Sequence, residues 1–158
     1  MGPTRQERTA HVRHFLTDVV SDRDLNALEA FVTEDLDAHD LVFGDGGRSK
    51  AGSVHTMGQA VLGTATDVAV TVDDLVADGD VVAVRATVRG DQERSLLTPA
   101  APEGPFEVPC AWFFRFEGDR IAELWSLPDG LGLVRQVGVL DAGPGHSQSN
   151  DGPKPLNL

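Results

Sequence analysis

A chain of 158 residues with a single cysteine, Cys110, is long enough for one domain burying about two thirds of the surface its unfolded form exposes, so neither a disulfide nor a structural metal is required. Acidic residues outnumber basic ones 25 to 13, and Lys50 and Lys154 are the only lysines. That balance excludes the basic patch that nucleic acid or an anionic membrane needs, and favours a neutral or cationic small molecule, or a second copy of the chain, as partner. Residues Met1 to Gln6 contain no apolar stretch of signal-peptide type, and no run approaches the roughly 18 apolar residues that span a bilayer, so a soluble protein of a reducing cytoplasm is expected.

In chain order, Val12, Phe15, Leu16, Val19 and Val20 recur at spacings of three and four, which predicts a helix over Thr4 to Val20 with His11 and His14 off the centre of its apolar face. Ser21 and Asp22 then offer capping oxygens to a second short helix bearing Leu25, Leu28, Phe31 and Val32. A strand is expected at Leu36 to Phe43, a turn at GDGG (Gly44 to Gly47), and a third helix from Ser49 to about Thr64, where Val54, Met57 and Val61 share a face despite three glycines. His55 falls on that helix's opposite edge.

The period then changes to two. Val68 to Val76, a turn at ADGD and Val81 to Arg89 form one hairpin; Phe106 to Phe116, a turn at EGD and Arg120 to Leu127 form another. Between them the proline-containing segment Gly90 to Pro105 carries Leu96 and Leu97 at a nominal surface, which makes it a candidate lid. Leu131, Val134 and Val137 predict a closing helix, with Asp129 as its N-cap. The remainder is polar and rich in Gly and Pro, so residues 1–140 are read as one domain and 141–158 as a disordered tail. Helices followed by antiparallel hairpins predict an α+β fold in which a strongly curved antiparallel sheet wraps the N-terminal helices and leaves an internal pocket.

The stretches HVRHFLTDVVSDRDLNALEAFVTEDLDAHD, VTVDDLVADGDVVAVRATVRG and FFRFEGDRIAELWSLPDGLGLVRQVG together resemble the SnoaL-like polyketide cyclases, or ester cyclases, of the nuclear transport factor 2-like superfamily. The resemblance runs from about Ala10 to Gly138. It implies a cone-shaped α+β barrel, a hydrophobic pocket, a homodimer through the outer sheet face, and ring-closing aldol chemistry with no metal or organic cofactor. Alternation along the last strand places Ala122, Leu124 and Ser126 on one face and Ile121, Glu123, Trp125 and Leu127 on the other.

By the resemblance the first set faces the pocket, and Ser126 stands where these cyclases carry a proton-shuttling aspartate. Family histidines fall on Trp112 and Leu124. An unactivated hydroxyl is a poor proton carrier near neutral pH, so that mechanism does not transfer to Ser126 alone. His39 and Asp40 are the candidate catalytic acid–base residues, at most one of them facing the pocket if the strand is regular. Cys110, Trp112, Phe114, Leu124 and Ser126, with Leu96 and Leu97 from the loop, are the candidate ligand-binding residues, and the aromatics suit a small hydrophobic compound. Two functions stay open: cofactor-free acid–base catalysis of cyclase, isomerase or hydrolase type on a hydrophobic carbonyl compound, or a non-catalytic binding or dimerisation module.

Overall fold

The computed structural model describes residues 2–22, 24–40, 65–92 and 104–136. The predicted third helix with His55, the loop residues Leu96 and Leu97, and the C-terminal tail lie outside them.

Helix α1 (Arg5–His14) starts at a reciprocal cap: Thr4 Oγ1 accepts from the Glu7 amide at 3.3 Å, and Glu7 accepts from the Thr4 amide at 2.6 Å. That backbone hydrogen bond holds the Glu7 carboxyl below its ordinary range. The helix continues as π-helical turns over Phe15–Ser21, closed by the Asp22 amide donating to the Thr17 carbonyl at 2.8 Å. Ser21 does not cap the next helix as expected. Its hydroxyl donates to the Leu16 carbonyl at 3.3 Å and accepts from the Val70 amide at 3.1 Å, tying the helix end to the sheet. The capping oxygens come from Asp24, before a single 3-10 turn (Leu25–Ala27) and the short α2 (Leu28–Phe31).

Among the described residues five strands follow: β1 (Val32–Asp40), β2 (Ala65–Asp78), β3 (Val81–Gln92), β4 (Gly104–Glu117) and β5 (Arg120–Pro128), then α3 (Gly130–Gln136). Their order across the sheet is β1-β5-β4-β3-β2. Both predicted hairpins are present and the α+β class holds. The sheet is mixed rather than antiparallel throughout, because β1 runs parallel to β5, and it is open, with β1 and β2 as its edges. No helix among the described residues is long and apolar enough to cross a membrane.

Bulges break the two-residue period where the sequence hides it. In β2 the register slips between Val72 and Asp74, so Asp73 and Asp74, which strict alternation would send to opposite faces, both reach Arg85: Asp74 accepts from Nε at 2.9 Å and Asp73 from Nη1 at 3.3 Å. In β5 the slip between Arg115 and Phe116 of its partner leaves Ala122 as the extra residue. Ile121 therefore pairs with Phe116 and is wholly buried, whereas alternation had put it on the outer face.

The core lies between the helices and the inner face of the sheet. Val12, Leu16, Val19 and Leu28 meet Leu36, Val82, Phe114 and Ile121. His11 is part of this packing, contrary to expectation. Its ring sits edge-on to Phe31 and Phe116 at 5.1 and 5.4 Å, and Nε2 lies 3.0 Å from the Phe31 carbonyl, a distance that suits an Nε2–H donor.

The C-terminal helix is anchored by one amide. Below Cys110, β4 has no β5 partner, and Gln136 takes that place: its Nε2 donates to the Glu107 carbonyl at 2.7 Å and its Oε1 accepts from the Glu107 amide at 2.9 Å. Gln136→Ala should cost about 1–3 kcal/mol in urea unfolding, since each lost bond contributes about 1 kcal/mol. Gln136→Glu should cost at least as much, because a carboxylate faces the Glu107 carbonyl with no proton to give.

Candidate functional site

Strand pairing sorts the inner face into rows of neighbouring side chains. One row reads Ala77, Val82, Phe114, Leu124, Ala38 from β2 to β1; the next reads Leu75, Val84, Trp112, Ser126 and, by backbone register alone, the Asp40 position. The first row is core except at Leu124, which is only partly buried: Phe114 is wholly buried and edge-on to Phe15 at 5.5 Å. The second row has polar chemistry. Trp112, 9% exposed, donates its indole N–H to Ser126 Oγ at 3.1 Å, and Ser126 is partly buried. Asp40 holds the register position beside Ser126 at the end of β1. Cys110 belongs to a third row with Val72 and Ala86, is buried, and lies with Sγ 3.6 Å from the Val108 carbonyl.

His39 pairs with Trp125 instead and lies on the outer face. Its ring stacks on the Trp125 indole, with centroids 3.9 Å apart and planes at 10°. Nε2 is 3.2 Å from Glu123 Oε1, near enough for an ion pair when the imidazole is protonated but off the line of a hydrogen bond. Glu123 also accepts from Arg115 Nε at 2.9 Å and from Trp125 Nε1 at 3.2 Å. The Arg115 hydrogen bond, helped by Trp125 and by the charges of Arg115 and His39, holds the Glu123 carboxyl below its ordinary value of 4.5 against a smaller upward push from burial.

A carboxylate depressed on folding stabilises the fold above its unfolded value and loses that contribution as the pH falls through the folded one. Thermal melts should therefore decline below about pH 4.5, and Glu123→Gln should make that decline shallower.

The sequence-predicted residues thus separate into two groups. Trp112, Ser126 and the Asp40 position share one row, with Leu124 and Phe114 in the row beside it. His39 is across the sheet from them. Two surface depressions among the described residues lie elsewhere. One of about 640 Å³ opens beside the irregular start of β1 and is lined mainly by carboxylates, including Glu34, Asp37, Asp119 and Glu123, with Arg120. The other, about 350 Å³, lies between Asp67, Arg89, Phe106 and Gln136. Asp129 caps α3 as expected, accepting from the Gly132 amide at 2.9 Å. What sequence reading missed is the Asp40–Ser126 adjacency: it depends on a parallel pairing between strands more than 80 residues apart, for which no local pattern exists.

The pattern of the SnoaL-like polyketide cyclases matches residues 10–137. No curated protein matches the sequence. Among solved structures, TsrD from Streptomyces laurentii is 26% identical with a TM-score of 0.74, over 87% of this chain and 99% of its own. IdmH from Streptomyces antibioticus, a candidate polyketide cyclase, is 25% identical with a TM-score of 0.73, over 83% and 98%. A Catenulispora acidiphila protein with a ketosteroid isomerase-like fold, 21% identical with a TM-score of 0.66 over 86% and 95%, shares the fold. With four fifths of its length inside the family pattern and the helices-on-sheet architecture of these neighbours, the chain belongs to the SnoaL-like polyketide cyclase family.

Proposed function

We propose that the protein binds a small hydrophobic carbonyl compound against Trp112 and Leu124 and moves a proton on it without a cofactor, with Asp40 as the acid–base residue. The observation that carries this reading is the pairing of Asp40 with Ser126, which puts a carboxylate-bearing residue one strand away from Ser126, where the family resemblance implies an aspartate. The Asp40 carboxylate takes a proton from the carbon beside a carbonyl, and the C–H electron pair moves into the carbonyl group to give an enolate. Attack of that carbon on a second carbonyl forms the new C–C bond, and the resulting alkoxide takes the proton back from Asp40. An apolar setting favours this cycle, because it raises a carboxyl pKa towards neutrality.

The test needs only a simple probe. Exchange of the α-protons of 2-tetralone in D2O, followed by NMR, should be faster with the protein than without it and should depend on Asp40. Saturable binding with no acceleration would leave a binding module in place of an enzyme.

The same reading includes self-association through the outer face. There Val76, Ala83, Phe113, Trp125 and His39 form one cross-strand row, with Leu127 beside it, and Val76, Phe113, Trp125 and Leu127 are 65, 44, 38 and 36% exposed. Contiguous exposed apolar surface of this kind marks association sites. Light scattering should give a dimer for the native chain and a monomer for Phe113→Asp; a monomer in both would remove this part of the reading.

A further inference from the structure

We infer that the Trp112–Ser126 pair is a directed hydrogen-bond donor for a negatively charged ligand oxygen, the enolate or phenolate oxygen of a flat aromatic compound. This rests on the proposed ligand site and adds what the site recognises. An indole N–H can only donate, so the 3.1 Å contact from Trp112 Nε1 occupies an acceptor lobe of Ser126 Oγ. The serine hydroxyl proton must then point elsewhere. Among the described side chains nothing accepts it, and the rest of the row on this face consists of the apolar Leu75 and Val84 and the Asp40 position.

A hydroxyl fixed in this way, in a partly buried setting, is a preorganised donor. Its O–H is polarised by the bond it accepts, and it is worth most against charge that develops on an oxygen. Trp112 itself is held by packing, being 9% exposed between Val84 and Ser126. At this position the hydroxyl holds the oxygen on which negative charge gathers. Trp112 acts as a positioning residue for that hydroxyl.

The experiment compares 2-naphthol with 2-methylnaphthalene, a near-isostere lacking the oxygen, by calorimetric titration of the full chain. The native protein should prefer 2-naphthol by about tenfold, as one hydrogen bond to the oxygen of the neutral naphthol implies. Ser126→Ala should abolish that preference while 2-methylnaphthalene binds as before, which also reports that the variant is folded. Trp112→Phe, with the hydroxyl free to turn, should reduce the preference by a smaller factor of about three. If both compounds bind but the preference is absent, or persists in Ser126→Ala, the donor assignment is overturned and the binding site stands. If neither compound binds, the site itself is overturned.

Discussion

Asp40→Asn should slow protein-catalysed α-proton exchange of 2-tetralone by about 10²–10⁴-fold, the usual contribution of a positioned general base. Asparagine keeps the size and hydrogen-bonding capacity of the side chain and removes only the titrating group, so ligand affinity should change far less than the rate. That split separates a proton carrier from a residue that merely holds β1 in register. His39→Asn supplies the contrast. His39 lies on the outer face, stacked on Trp125, and its loss should leave the exchange rate within about twofold of native while altering association through that face. An exchange rate unaffected by Asp40→Asn but lost in His39→Asn would reverse the assignment of faces on which the proposal rests.

Phe114→Ala should destabilise the protein by about 3–5 kcal/mol in urea unfolding, the range for removing a fully buried aromatic side chain. Phe114 is the largest wholly buried residue among those described; it lies between Val82 and Leu124 across the sheet and edge-on to Phe15 of the helical layer. Phe114→Leu, which conserves most of the volume, should cost less than about 1.5 kcal/mol. These values distinguish core from pocket wall. A residue facing an open cavity would show a small cost on truncation, under about 1 kcal/mol, together with a large change in ligand affinity.

How much of this was legible in the sequence follows from which physical signals are local. The hairpins were readable because Val82, Val84, Ala86 and Val88 alternate with polar or small residues, and the turn residues Gly79 and Gly118 adopt positive φ, which glycine tolerates at no steric cost. Helix α1 was readable from its three–four spacing, and Asp129 from its place before a helix. Ile121 was misplaced because one bulge residue, Ala122, shifts the remainder of β5 by a face, and a bulge leaves no trace in a hydrophobicity pattern.

His11 was misjudged for a different reason: an imidazole can be buried when its N–H finds a carbonyl, here that of Phe31, twenty residues away. The parallel alignment of β1 on β5 was equally hidden. It bears most on the proposal, since it gives Asp40 and not His39 the register position beside Ser126. The sequence names both His39 and Asp40 as candidates; which of the two shares a register position with Ser126 depends on a strand pairing that no local pattern encodes.

The chain has two tryptophans, one on each face of the sheet: Trp112 in the inner row and Trp125 in the outer one. Trp125→Phe therefore leaves a single emitter at the proposed site, and Trp112→Phe a single emitter across the sheet from it. Titration with 2-naphthol should quench Trp112 by direct contact, saturably and at one-to-one stoichiometry, in the first protein, and Ser126→Ala added to it should weaken that binding. An inner-face site predicts this result; saturable quenching confined to Trp125, or none at Trp112 at any concentration, would contradict it.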